Sequence, residues 1–237
     1  MLFRSGVQYP LAFGLRQADR RNAVAGITTA YHAISFANEE LGVRTPHMAA
    51  EIVRSIVAER AHLLIDSRVH CRYETTDQES PAVIGSLMEE GIVDLISYMD
   101  HTPGQGQFKS FDAYRRYQQE VYGQSAEQSH RLVEQKMQAA ETAGGRIRAL
   151  SERALAHMIP LASHDDDSAE KVGGMADAGV KISEFPVNLP AAAAARERGM
   201  VTVFGAPNVV RGTSQSGSVN AADAIKAGVA TCLCSDY

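Results

Sequence analysis

The sequence predicts an α/β fold built on a parallel sheet, and three observations carry that expectation. Short β-rich runs alternate with longer helical patterns along the chain, which is the rhythm of βαβ units. Seven such runs can be counted, and the last coincides with the end of the sequence. Four of them end in an ionisable residue, the place where parallel α/β folds collect their chemistry. A closed (β/α)8 barrel needs eight strands and an open doubly wound sheet can use seven, so the count leaves both architectures open.

Strands are expected at residues 26–35 (GITTAYHAIS), 64–74 (LIDSRVHCRYE), 93–101 (VDLISYMDH), 158–165, 181–187, 201–209 and 231–237. The segments between them read as helices. MAAEIVRSIVAERA places apolar residues three and four apart, and LPAAAAARERG is alanine-rich, with Pro190 near its start and Gly199 at its end. The longest insertion, residues 108–156, is polar with a helical pattern, and Gly144-Gly145 marks its expected break. With no repeat, low-complexity tract or linker, residues 1–237 read as one domain.

Composition narrows the function classes. Apolar residues at 45% and charged residues at 22% are ordinary for a globular protein. A formal charge of −5 gives no electrostatic case for nucleic acid. No apolar run approaches a membrane span, and MLFRSGVQYPLAFG makes a poor signal peptide. Cys71, Cys232 and Cys234 cannot form a disulfide framework, so a reducing cytoplasm is the default.

The four strand-end residues are Glu74, His101, His164 and Asp236. On the strand at 64–74 a period of two puts His70, Arg72 and Glu74 on one face. So polar a stripe is costly to bury unless it is paired or holds a metal. Carboxylate and imidazole groups from separate strand ends suit zinc or a similar divalent ion, which would supply a hydroxide nucleophile near neutral pH. The plainer reading is that each is a cap or a solvated loop residue; Asp165, Asp166 and Asp167 fit the first turn of the next helix equally well. His70 reads as a paired core residue, and His32, His47, His62, His130 and His157 receive no role.

After the strand at 201–209, the segment APNVVRGTSQSGSVN offers glycines, hydroxyls and one cation, Arg211, the groups that phosphate oxygens bind. A surface loop is the competing reading. Gly104-x-Gly106 lacks the third glycine of a dinucleotide fingerprint and does not open the first βα turn.

With these residues in view, the sequence resembles the PhnM family, the amidohydrolase-type diphosphatases of the bacterial carbon–phosphorus lyase pathway. The matching stretches are AGITT (25–29), HCRYE (70–74), MDHTPGQGQF (99–108), LASHDD (161–166), EFP (184–186), GAPNVVRGTSQSG (205–217) and SDY (235–237), in the family's order. The resemblance implies a (β/α)8 TIM-type metallohydrolase barrel with a divalent metal centre, zinc foremost, of one ion or two. It implies hydrolysis of α-D-ribose 1-methylphosphonate 5-triphosphate to the 5-phosphate and pyrophosphate. Carried over, Glu74, His101, His164 and Asp236 are metal ligands, with Asp236 also moving the proton of the attacking water. Asn208, Arg211, Ser214 and Ser216 are placed at the polyphosphate, and Arg72 and Asp165 behind the ligands. The implied partner is a phosphorylated ribose, with neither nucleic acid nor membrane, and a homo-oligomer stays open.

The sequence departs from the family in two respects. The His-Thr-Asp-type ligand segment of the family's first strand does not precede Gly26, and the family continues past SDY. The chain therefore reads as an incomplete barrel, an interior fragment without the first strand and the C-terminal portion. Two rival functions follow: an amidohydrolase acting on a C–N bond, and a fragment without catalytic competence.

Overall fold

The computed structural model describes residues 10–38, 45–102, 111, 112, 114, 119, 125–214 and 218–235. Seven parallel strands lie in sequence order in one sheet: β1 (Thr29–Phe36), β2 (Asp66–Glu74), β3 (Leu95–Met99), β4 (Leu161–His164), β5 (Ile182–Glu184), β6 (Val201–Gly205) and β7 (Cys232–Cys234). A simple sequential order with a helix after each strand is barrel topology, whereas a doubly wound sheet reverses its order at a switch point. Each of the seven expected runs overlaps one of these strands.

Helices α1 (Leu11–Val24), α2 (Pro46–Glu59) and α3 (Ser80–Glu89) accompany the first half of the sheet. Helices α4 (Ala126–Ala140) and α5 (Ala143–Ala156) stand between β3 and β4. The second half adds α6 (Ala169–Asp177), α7 (Leu189–Glu197), α8 (Ala206–Arg211) and α9 (Ala221–Lys226). Local chemistry sets their starts. Thr45, Ser125, Ser168 and Asn188 each accept a backbone N–H three residues on, worth about 1 kcal/mol apiece. Ser125 and Gln128 complete a capping box.

The two faces of the sheet are chemically different. Strand register aligns Val69, Cys71 and Tyr73 of β2 with Ile96 and Tyr98 of β3, and Leu161 of β4 with Ile96. This face packs on α2, α3 and α5 through Ile56, Leu87 and Leu150 to make the main core. The opposite face carries His70, Arg72 and Glu74, then Ser97 and Met99, then Ala162 and His164, then Glu184. Alternation along β2 therefore sends Val69, Cys71 and Tyr73 to the helices and His70, Arg72 and Glu74 to the concave side.

Two boundaries differ from expectation. The strand expected at 201–209 ends at Gly205, and Ala206–Arg211 is a helix. Pro207 in its first turn favours helix entry, and Gly212, at φ 76°, ends it in the left-handed conformation. The insertion breaks at Glu141-Thr142, so Gly144 and Gly145 fall in the first turn of α5. A first turn tolerates glycine better than a helix interior.

Candidate active site

Because all strands run in one direction, Glu74, His101 and His164 emerge at a single rim. Glu74 closes β2 and is 3% exposed. Its Oε2 lies 2.7 Å from His101 Nδ1, and its Oε1 accepts from the Thr76 hydroxyl at 3.0 Å. The Lys136 ammonium, delivered by α4, stands 3.6 Å from the same Oε1. Burial alone would push the Glu74 carboxyl up; Lys136 and the hydrogen-bonded His101 outweigh it and bring it down to about 2.

His164 closes β4 on the same face. Its Nε2 lies 3.4 Å from Arg72 Nη2. Its Nδ1 sits 3.1 Å from Asp165 Oδ2, an ion-pair distance at an angle short of a hydrogen bond. Phe185 leans on the imidazole at 5.1 Å between ring centroids, and Lys171 Nζ donates to the carbonyls of His164 and Asp165. Burial pushes the Asp165 carboxyl up, but its His164 and His101 neighbours bring it below its ordinary value. Asp165 and Phe185, each directly after a strand-end residue, hold positive φ of 53° and 54°. Strained backbone of this kind persists where the surroundings over-determine it. Here sheet bonds do so: Asp165 N–H donates to Glu184 O and Phe185 N–H to Val203 O.

Deeper on the concave face, His70 Nε2 meets Ser97 Oγ at 2.7 Å and lies 3.9 Å from Glu184 Oε2. Burial, with Arg72 and His164 nearby, brings the His70 pKa down to about 3, so the ring is neutral. His70 is thus a paired core residue, as its sequence context suggests.

The donor set can be tested against a metal. Both His101 and His164 have a carboxylate on the Nδ1 side, an arrangement that puts the ring proton there and makes Nε2 the lone-pair nitrogen. Imidazoles oriented this way by carboxylates are characteristic of metal ligands. Glu74, as placed, orients His101. Among the described residues no group of three His, Cys, Asp or Glu side chains converges tightly enough to hold an ion. The chemistry of the two imidazoles fits a divalent ion; the described residues alone do not complete its coordination.

Of the other expected site residues, Asp236 and Ser216 lie outside the described residues. Asn208 sits in α8 with its carboxamide engaged by backbone, accepting from Ala221 N–H at 3.0 Å and donating to Val219 O at 3.4 Å. Arg211 ends α8 and Ser214 follows it, beyond the carboxyl end of β6. Asp166 is no helix-turn residue: it is fully buried and accepts from the hydroxyls of Ser163 and Ser183, joining β4 to β5. Ser168 caps α6 instead. Two rim residues escaped the sequence reading. Glu184 ends β5 by the same rule that picked out Glu74, and Lys136 falls on the buried stripe of α4 with Ser129, Val133 and Ala139.

No family model matches the chain. It is 31% identical over 237 residues to the α-D-ribose 1-methylphosphonate 5-triphosphate diphosphatase of Escherichia coli (strain K12), covering 99% of this chain and 63% of that protein's length. Among solved structures, adenine deaminase from Arthrobacter aurescens aligns with a TM-score of 0.58 at 10% identity, covering 95% of this chain and 62% of that one. That likeness concerns the fold, an incomplete TIM-type barrel. Along nearly its whole length the chain is similar to the Escherichia coli diphosphatase, of which it spans 63%.

Proposed function

We propose that the chain is the barrel portion of a metal-dependent hydrolase that cleaves a phosphoanhydride of a ribosyl triphosphate and releases pyrophosphate. The substrate we assign is the one in the relative's name, α-D-ribose 1-methylphosphonate 5-triphosphate. What supports this reading above all is the 31% identity with that diphosphatase over 99% of the chain, together with the ionisable residues Glu74, His101 and His164 at one rim of the sheet.

In this reading His101 and His164 hold a divalent ion, zinc foremost, through their Nε2 atoms. Such an ion lowers the pKa of bound water and polarises a phosphoryl oxygen. The protein's own groups do the rest. Glu74 holds His101 in the tautomer that presents Nε2, and the Asp165 carboxylate stands on the Nδ1 side of His164. Lys136 balances the Glu74 charge in a buried place. Arg72 reaches His164 and supplies a guanidinium to the concave face, where phosphoryl charge would be met. Arg211 and Ser214, after β6, are assigned to the distal phosphates, and Asp236 to the proton.

The experiment offers the metal-loaded protein a ribosyl 5-triphosphate and a panel of amides and aminopurines. Pyrophosphate should appear from the first, and neither ammonia nor carboxylate from the others. Ammonia release without pyrophosphate would transfer the chain to the C–N-cleaving amidohydrolases.

A further inference from the structure

Beside Glu74 the rim opens into a cleft of about 310 Å³, walled on one side by the turns after β1 and β2 and on the other by α4. Its volume is at the small end of ligand sites. Thr76, Asp77 and Lys136 are buried, while Asn38, Gln135 and Gln138 are exposed at its mouth. Among the described residues the cleft holds two carboxylates, Glu74 and Asp77, against one ammonium, Lys136, a balance that disfavours an anionic occupant. Asp77 is engaged by the N–H groups of Asn38, Glu79 and Ser80, so it shapes the wall. Carboxamides at the mouth each offer both donors and an acceptor, the pairing that hydroxyl groups need.

From this geometry we infer that the cleft is the seat of a neutral, polyhydroxylated group, the sugar ring of the substrate, with Gln135 and Gln138 of α4 binding its hydroxyls. The inference rests on the diphosphatase reading for the identity of the sugar, a pentose. It adds that the insertion between β3 and β4 contributes directly to substrate recognition. The sugar then lies within one side chain of Glu74, with any attached phosphates directed along the rim towards His101 and His164.

The test is saturation-transfer NMR of the whole protein with methyl β-D-ribofuranoside and ribose 5-phosphate as probes, and phosphorus-31 line broadening with inorganic phosphate. The variant is Gln135→Ala/Gln138→Ala; both side chains are exposed and alanine preserves the helix. Ring-proton signals are expected from both ribosides, and the variant should weaken their binding about tenfold, as the loss of one or two net hydrogen bonds implies. Binding of inorganic phosphate should not change. Riboside binding that is absent in the parent, or equal in parent and variant, overturns the assignment. Riboside binding lost in the variant, with no pyrophosphate released from a triphosphate, supports the cleft and removes the diphosphatase reading alone.

Discussion

Glu74 and His101 meet through Oε2 and Nδ1 at 2.7 Å, joining the end of β2 to the segment just beyond β3. Each partner answers a need of the other. The buried carboxylate gains a charge-assisted bond, and the imidazole gains a fixed tautomer. The same carboxylate faces Lys136 from α4, so a single side chain connects the sheet, the rim and the insertion.

Replacing Glu74 with Gln should therefore lower stability by about 3 kcal/mol, because it removes a buried carboxylate that faces the Lys136 ammonium and bonds His101 and Thr76. Adding Lys136→Met should restore at least about 1 kcal/mol of that loss, which urea unfolding of the four proteins in the cycle would measure. Simple additivity would show that the two side chains do not interact.

His70 gives a pH dependence whose sign can be worked out. Its pKa is depressed to about 3 in the folded protein by burial, against 6.5 when exposed. The unfolded chain therefore binds the proton first, so this contribution is complete above pH 6.5 and is lost as pH falls towards 3. Between pH 6.5 and 4.5, above the range of Glu74, the loss should reach roughly 2–3 kcal/mol. His70→Gln should flatten most of that slope, leaving the smaller contribution of His32, which burial also lowers. An unchanged slope in urea midpoints would assign the acid sensitivity elsewhere.

Arg146 ties the insertion to the barrel. Its guanidinium donates to Thr75 O at 2.8 Å, Ala139 O at 2.7 Å, Thr142 Oγ1 at 2.7 Å and the Tyr73 hydroxyl at 3.3 Å. Arg146→Met should lower stability by about 2–3 kcal/mol. It should also speed amide exchange in α4 and α5 more than in β2 or β3. Uniform acceleration across the sheet would mean that the insertion opens only with the whole molecule.

Much of this was legible in the sequence because strands buried on one side and capped by charge leave a strong mark. The stretches around His70 and Ser97 show it: apolar neighbours fix the strand, and the polar exception marks the concave face. The helix Ala206–Arg211 was hidden because a short Pro-Asn segment reads like a loop. Lys136 was hidden for a different reason. Its helix is polar on most sides, and only the spacing of Ser129, Val133 and Ala139 reveals that a lysine stands in the buried stripe. Asn208 looked like a phosphate contact by residue type, yet only coordinates could show its carboxamide committed to the start of α9.

In the proposed enzyme His101 and His164 offer their Nε2 atoms to one metal centre. Zinc titration followed by X-ray absorption tests it most directly, comparing the parent protein with His101→Asn and His164→Asn. The parent should bind zinc stoichiometrically, with nitrogen and oxygen ligands at about 2.0–2.2 Å. Each substitution should weaken binding by about 100-fold or more, the lower bound coming from what loss of even an outer-shell partner can cost. Zinc held equally tightly by both variants would place the metal on other residues and contradict the account.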